Sequence, residues 1–431
     1  MKPIAFVCTL IVLGLSASLS GCIIATSSVH PESDAAGKWL ATDITHYRQA
    51  KVPSAPALPE NGLSSAGRAL FTNVYDHVRT LYVHETDGQT LLAAAAEGMR
   101  HAHPDPTRVG TRSLVEAAIH GMLSSLDPYS SYLDKAHWKA LREQTSGEFG
   151  GIGIQVRKGK GYIEVISPID GTPAAKAGVL PGDHILRADG ISLEKMLLRD
   201  AVLLLRGRPG SNVTLTLRRS NKPQFDLPIQ RAKIKVASVR FRMEKDIGYI
   251  RLSRFSERTS EEVVRAVKAI KARRGSKLKG YVLDLRSNPG GLFDQSVEVA
   301  DIFLNRGRVV TTKARLDERH YQASRGDVSS GAPIAVLIDK GSASAAEIVA
   351  GALKDNRRAT LIGTRSFGKG SVQTLLPLTA DDRLKLTTAI YLTPSGDTVD
   401  GGISPNFTVP MTDKKDSDDQ LNYALNFLRK L

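Results

Sequence analysis

The chain has 431 residues, a formal charge of +15, 6% aromatic residues and two cysteines, Cys8 and Cys22. That length allows two or three domains with real cores, and scattered basic residues with few aromatics argue against a dedicated nucleic-acid reader. Both cysteines fall in the first 22 residues, so a chain processed at that point has no disulfide and no thiol catalyst.

Lys2, the apolar run from Ile4 to Leu19 and the small-residue close Leu19-Ser-Gly-Cys22 predict a targeting segment over residues 1–21, too short to read as a membrane span. Leu-Ser-Gly-Cys resembles a bacterial lipobox. That resemblance implies lipidation of Cys22, a lipid-anchored position in the cell envelope facing the periplasm and, with Ile23 next, the outer membrane in a Gram-negative host. An ordinary secretory peptide with an incidental cysteine is the alternative. Residues 22–60 are rich in Ser, Pro and Ala without periodicity and read as a tether. The positive charge is read as a solvated surface, with attraction to anionic head groups as a secondary hypothesis.

Residues 61–146 form an expected helical region. Ala66–Val83, Leu91–His103 and Ser113–Leu126 carry apolar residues at helical spacing, and His103-Pro-Asp-Pro106 breaks the chain between the last two. His101 and His103 have no third ligand at a suitable spacing, so they read as solvent-facing and no metal is expected. Leu126-Asp-Pro-Tyr-Ser-Ser-Tyr-Leu133 reads as an Asp-Pro turn followed by aromatic packing.

Phe149-Gly-Gly-Ile-Gly-Ile-Gln-Val156 places a glycine-rich turn before an alternating strand. Amides in such a turn can cradle a carboxylate, and the strand offers an edge to an extended peptide; the motif alone could equally be a β-bulge or hairpin. Leu180-Pro-Gly-Asp183, Ala188-Asp-Gly190, a helix pattern over Leu193–Leu205 and a strand over Asn212–Arg219 follow. This order resembles a PDZ domain over 147–233. The resemblance implies capture of a free C-terminus, with Gly150, Gly151, Ile152, Gly153 and Ile154 at the peptide. Arg206 reads either as a contact between this module and the rest of the chain or as a solvated loop residue. The Lys233–Val239 junction reads as a linker that lets the module move.

From about residue 238, strands alternate with helices, which predicts an α/β core over 234–411. Asn288-Pro-Gly-Gly291 directly follows the buried strand Gly280–Leu285 and offers either an N–H donor to a cleft or a plain turn. Ala332–Asp339 is an apolar strand. Gly341-Ser-Ala-Ser-Ala-Ala-Glu347 then opens a helix through Asp355, so a hydroxyl stands where unpaired amides favour an anion. Ser342 and Ser344 could merely cap that helix. Lys369, between Gly368 and Gly370 in Ser366-Phe-Gly-Lys-Gly-Ser-Val-Gln373, could act as base to a serine if burial lowers its proton affinity. His320, in a polar, Arg-rich loop, is the poorer supply. Gly363–Lys369 matches the opening of a phosphate-binding loop, yet Gly370 and a strand follow where Ser/Thr and a helix are required, so no nucleotide is expected. Arg383–Leu392 alternates as a strand whose polar register could line a cleft. Residues 412–431 end as an amphipathic helix with Leu421, Leu425 and Leu428 on one face, expected to pack on the body.

Ser-Ala-Ser-Ala-Ala-Glu, Phe-Gly-Lys-Gly-Ser-Val-Gln and Asp284-Leu-Arg-Ser-Asn-Pro-Gly-Gly291 together resemble the carboxyl-terminal processing (tail-specific) protease family, over most of the chain beyond about residue 65. The resemblance implies a multidomain α/β protein. Its protease core is crotonase/ClpP-like, built of repeated β-β-α units, with an inserted PDZ domain and an N-terminal helical region. It implies Ser344 as nucleophile, Lys369 as general base and Gln373 as the residue orienting the lysine. The Ala345 and Gly291 amides would form the oxyanion hole, with no cofactor. Its partners would be proteins with exposed C-terminal tails; a homo-oligomer or an adaptor stays open. Ala346, where many members carry serine, and Asn406, where aspartate is common, depart from the pattern. The rival readings are a non-catalytic PDZ scaffold or tail-binding chaperone on a protease-like body, and an acyl-CoA enzyme sharing the core.

Overall fold

The computed structural model describes residues 31–51, 64–220, 222–324, 326–411 and 417–431. The expected targeting segment and Cys22 lie outside them. The chain divides into two compact units, one running to Thr80 with Thr86–Ser125, the other comprising Leu81–Glu85 and Leu126–Leu431.

The first unit is helical: α1 (Pro31–Lys51), α2 (Ser65–Leu81), α3 (Gly88–Ala102) and α4 (Thr111–Ser124). Helix α1 corrects the expected tether. Ala36, Leu40 and Ile44 recur every four residues and are buried, and Trp39 stacks on Phe71 of α2 with ring centroids 6.4 Å apart. Helices α3 and α4 cross at Gly98 and Gly121, where a Cβ on Gly98 would lie 2.3 Å from the Gly121 Cα. His101 is exposed and His103 half-buried. Among the described residues no group of three His, Cys, Asp or Glu could hold a metal, and no helix is long and apolar enough to cross a membrane.

The second unit opens with β1 (Ser131–Leu133) and α5 (Lys135–Ser146), whose Asp134 caps the helix by accepting from the His137 amide at 2.8 Å. A two-stranded neck follows. It pairs β2 (Glu148–Gly151) with a strand more than eighty residues later, through Glu148↔Lys235 and Gly150↔Lys233. The module hung on it contains β3 (Ile154–Lys158), β4 (Ile163–Pro168), the short α6 (Pro173–Lys176), β5 (His184–Ala188), β6 (Ile191–Ser192), α7 (Leu198–Leu205), β7 (Asn212–Arg218) and β8 (Phe225–Gln230), and β9 (Ala232–Lys235) closes the neck. The sheet runs β3-β4-β5-β7-β8, with β6 on β5.

Three expectations need correction here. Gly150 and Gly151 belong to strand β2 rather than to a free turn, because β9 supplies a ladder partner that local sequence does not reveal. Helix α7 begins at Leu198, not Leu193, because Leu193 is buried with its amide bonded to Leu186 O (2.9 Å). The supposed linker at Lys233–Val239 is largely strand: Lys233–Lys235 lie in β9, and Val239 starts β10 (Val239–Glu244).

The body is a three-layer α/β arrangement. After β10 come β11 (Ile247–Leu252), α8 (Thr259–Arg274), β12 (Gly280–Asp284), α9 (Phe293–Ile302), β13 (Arg308–Ala314), β14 (Glu318–Gln322), β15 (Ile334–Ile338), α10 (Ala345–Asp355), β16 (Thr360–Gly363), β17 (Ser371–Pro377), β18 (Arg383–Leu392), β19 (Phe407–Thr408) and α11 (Asp419–Lys430). The main sheet runs β10-β11-β12-β15-β16-β19, parallel except for β10. Both faces are covered, so β12 and β15 are apolar and buried throughout apart from Asp284. Tyr281, Leu283 and Val336 face the core beneath α8, α9 and α10, whereas Val282, Ala335 and Leu337 face Leu421, Leu425 and Leu428 of α11. A second sheet runs β1-β18-β13-β14, with β17 also on β18. Asn406 caps the edge of β16 by accepting from the Leu361 amide at 2.8 Å.

Candidate active site

Strand β15 ends in a turn over Asp339–Ala343 that delivers Ser344 to the N-terminus of α10. The two serines of this turn differ sharply. Ser342 is fully buried and its hydroxyl is engaged, donating to Leu285 O (2.8 Å) and accepting from the Asp339 amide (2.9 Å). Ser344 is only half-buried and has φ 55° and ψ −116°, a strained conformation for a residue with a Cβ. Such a turn pushes the side chain out of the backbone path, as an exposed nucleophile requires.

The Asn288–Gly291 turn lies directly against this one. The Asn288 carbonyl accepts from the Ala343 amide (2.9 Å), and the Asn288 side chain donates to Leu252 O (3.0 Å). Gly290 has φ 96°, and a Cβ there would fall 2.9 Å from Ser344 Cβ and 3.0 Å from Ala345 N. Only glycine allows so close an approach. The Gly290 amide is taken by the Asn288 side chain (2.9 Å), whereas the amides of Gly291 and Ala345 donate to no acceptor among the described residues. Two unpaired donors flanking Ser344 can receive a developing oxyanion.

Lys369 is half-buried. Its Nζ donates to Gln373 Oε1 (2.8 Å) and lies 4.5 Å from the centre of the Tyr129 ring. Burial, and then the neighbouring Lys385 cation, hold the amine below its ordinary proton affinity, against the opposing pull of Asp127 and Glu347. A β-bulge between Val372 and Gln373 aims the glutamine. Its Nε2 donates to Ser371 Oγ (2.9 Å) and Thr387 Oγ1 (3.4 Å), which leaves Oε1 for the lysine. No hydrogen bond joins Lys369 to Ser344 among the described residues, so the amine rests on Gln373. His320 lies on the edge strand β14, not in a loop, and its ring nitrogen meets Thr311 Oγ1 at 2.9 Å rather than Ser344.

Sequence reading missed the residue that ties these parts together. Glu347, fully buried, accepts from the Ser344 amide (2.8 Å) and the Lys369 amide (2.9 Å) on one oxygen. Its other oxygen accepts from Ser366 Oγ (2.6 Å) and the Gly368 amide (2.7 Å). One carboxylate thus holds the serine turn and the lysine loop in a single network. Its Ser-x-x-Glu spacing is the signal that could have exposed it. Tyr391 adds a second bridge, its hydroxyl donating to Lys369 O (2.6 Å) and Ser344 O (3.2 Å).

In the PDZ-like module, Ile152 is buried, Gly153 has φ 80°, and Ile154 begins β3, the outer strand of its sheet. The other edge of β3 is unpaired among the described residues. Gly150 O accepts from the Gly207 amide (3.1 Å), which joins the glycine strand to the end of α7. Arg206 donates to Glu143 of α5 (3.0 Å) and stacks over Phe149 at 4.4 Å.

Comparison with known proteins agrees with this layout. The peptidase family S41 model matches residues 246–409 and the PDZ domain model residues 150–227. A carboxy-terminal-processing protease of Bartonella bacilliformis is 48% identical over 354 residues, covering 80% of this chain and 76% of that protein. The carboxy-terminal processing protease CtpA of Bacillus subtilis is 38% identical, over 70% of this chain and 65% of its own length. Among solved structures, the photosystem II D1 C-terminal processing protease is similar with a TM-score of 0.50 and 30% identity, over 80% of this chain and 94% of that one.

Proposed function

The chain belongs to peptidase family S41, among its carboxy-terminal-processing members, and from that premise we propose an envelope-anchored serine endopeptidase working through Ser344 and Lys369. Neutral Lys369 takes the Ser344 proton as Oγ attacks the scissile carbonyl, and the Gly291 and Ala345 amides receive the oxyanion. Collapse expels the amine, protonated by Lys369, and leaves an acyl-enzyme. Water, deprotonated by the same lysine, then releases the new carboxylate and restores the serine. Gln373 parks and aims the amine between steps. The observation that carries this reading is the half-buried Lys369 amine, fixed on Gln373 in the same hydrogen-bond network that holds Ser344. Hydrogen bonds to a nucleophile often tighten only when substrate binds, which accommodates the absent Lys369–Ser344 contact.

The substrates in this reading are proteins with exposed C-terminal tails. Each tail adds as a strand to the free edge of β3 with its carboxylate near Gly150–Gly153, and cleavage follows at or near that end. Lipid on Cys22 would hold the enzyme at the membrane, facing the periplasm. The test is cleavage of an unfolded protein with an apolar C-terminus by wild type, Ser344→Ala and Lys369→Ala. Both variants should bind the tail and lose cleavage. Wild-type turnover in Lys369→Ala would overturn the lysine base, and tail binding without cleavage in wild type would favour a scaffold.

A further inference from the structure

Two charged groups beside Lys369 have no task in this scheme. Lys385 is half-buried on β18, its Cα opposite Ser131 on one side and Leu375 on the other. Its amine makes no hydrogen bond or ion pair among the described residues. Two positions along the same strand, and therefore on the same face, Thr387 takes the Gln373 amide. Asp127 stands in the segment that β1 carries against this strand. Its carboxylate accepts from the amides of Tyr129 (2.6 Å) and Ser130 (2.8 Å) and from Ser130 Oγ (2.8 Å). Ser130 Oγ in turn accepts from the Thr387 amide (3.1 Å). The Tyr129 ring so placed covers the Lys369 amine. A chain of polar contacts therefore runs from Asp127 through Ser130, Thr387 and Gln373 to Lys369, and Lys385 lies beside it unpaired.

We infer that Asp127 and Lys385 are opposed positioning residues that set the protonation of the Lys369 base, one stabilising its charged form and the other its neutral form. This rests on the Ser344/Lys369 reading. The charged and titratable groups around Lys369 are Lys385 on β18, Asp127 and Tyr129 on the segment before β1, Glu347 on α10 and Tyr391 on β18. Glu347 is a second anion that favours the charged amine, but its oxygens also hold the serine turn and the lysine loop together, so changing it alters the frame as well as the charge. Tyr391 is a buried phenol held well above its ordinary value by burial and then by Glu347, hence neutral. Asp127 and Lys385 are the charges of opposite sign outside that frame. The Lys385 amine is itself held down by burial against the pull of Asp127. The Asp127 carboxyl, which burial alone would raise, is held low by its Ser130 and Tyr129 hydrogen bonds and is ionised at neutral pH. Neither group needs to touch substrate to act. A nearby charge alters the balance between ammonium and amine at a distance.

The signs of the two neutralisations are opposite, and that provides the test. Asp127→Asn keeps an acceptor for the Tyr129 and Ser130 amides but removes the negative charge, so Lys369 loses its proton more readily. The acid limb of kcat/KM should then move to lower pH. Lys385→Met keeps the aliphatic stem and removes the positive charge, so the limb should move to higher pH. On the limb, each change should alter the rate relative to its own plateau by about threefold or more. The double variant should return towards wild type. Full pH profiles on an unfolded protein substrate, with the Tm of each variant, decide the matter. Shifts of opposite sign support the pair. Unmoved limbs, shifts of one sign, or a raised KM with an unmoved limb in Lys385→Met would overturn it, the last marking a substrate-carboxylate contact instead. Should Asp127→Asn fail to fold, the sign of the Lys385→Met shift still decides. If Lys369→Ala retained the wild-type profile, the base assignment itself would fail, a result distinct from any of these.

Discussion

Glu347→Gln is a nearly isosteric change whose consequence follows from hydrogen-bond counting. In the native site four donors converge on two carboxylate oxygens, and three of them are backbone amides that cannot rotate to become acceptors: Ser344, Gly368 and Lys369. A glutamine amide can place its oxygen towards Ser344 and Lys369 or towards Ser366 and Gly368, but not both. The better choice keeps the first pair and sets NH2 against the Gly368 amide, which cannot turn, and against Ser366, whose oxygen already accepts from the Ile403 amide (2.7 Å) and would have to accept from NH2 as well. At least one buried donor is orphaned, at about 1–3 kcal/mol, and the remaining bonds lose their charge assistance, so the loss should total roughly 2–4 kcal/mol. Calorimetry should show the main transition about 5–10 °C lower. Because the orphaned amide adjoins Lys369, the lysine loop should shift, and displacement of a catalytic group by about 1 Å can cost on the order of a hundredfold in kcat/KM. A variant with wild-type Tm and wild-type cleavage rate would refute the claim that this carboxylate joins the two halves of the site.

Gln373→Glu puts a carboxylate against the Lys369 amine, stabilising its charged form, so the acid limb of the pH–rate profile should move to higher pH with activity recovering in alkali. Arg286→Ala strips the partner of Asp284, which is 1% exposed and also bound by Tyr249 and Arg251, and of Asp418 at the start of α11. Urea unfolding should report a loss of about 3–5 kcal/mol. Burial alone would raise the Asp284 and Asp418 carboxyls, but Arg286 holds both below their ordinary value. Their contribution is therefore present above about pH 4 and lost as pH falls through the depressed native values, so wild-type stability should drop steeply in acid and that of Arg286→Ala less so. In Gly150→Val the new Cβ would meet Gly207 O at 2.1 Å, parting β2 from the end of α7, and tail-peptide affinity measured by titration calorimetry should fall about tenfold.

The residues of the candidate site were legible because their signals are local. A small-residue turn before a helix, a lysine between glycines and an Asn-Pro-Gly-Gly turn after a buried strand each specify a backbone shape within a few positions. Helices α2, α3 and α4 and the alternating β18 followed from period alone. The misses came from long-range partners. Gly150 and Gly151 read as a turn because β9 lies more than eighty residues away. His320 read as loop because β14 is an exposed edge strand without apolar alternation. Helix α1 was hidden by its polar setting although the spacing of Ala36, Leu40 and Ile44 was present. Glu347 stood inside a recognised motif, but its worth depends on donors from Ser366, Gly368 and Lys369, whose convergence no spacing rule conveys.

The proposed use of a lysine as base would account for a site that draws on so many segments. A histidine needs little help to be neutral near pH 7, whereas a lysine must be kept from water and from compensating charge. Here the shielding comes from Tyr129, the aim from Gln373 and the frame from Glu347, so groups from before β1, from α10 and from β17 and β18 converge on one lysine, two of them at its amine and the others at its backbone. The segment bearing Tyr129 also leads through α5 into the β2–β9 neck, and Arg206 of the PDZ domain grips Glu143 of that same helix. The PDZ domain is therefore joined, by backbone and by ion pair, to the helix that directly follows the segment whose Tyr129 covers the lysine.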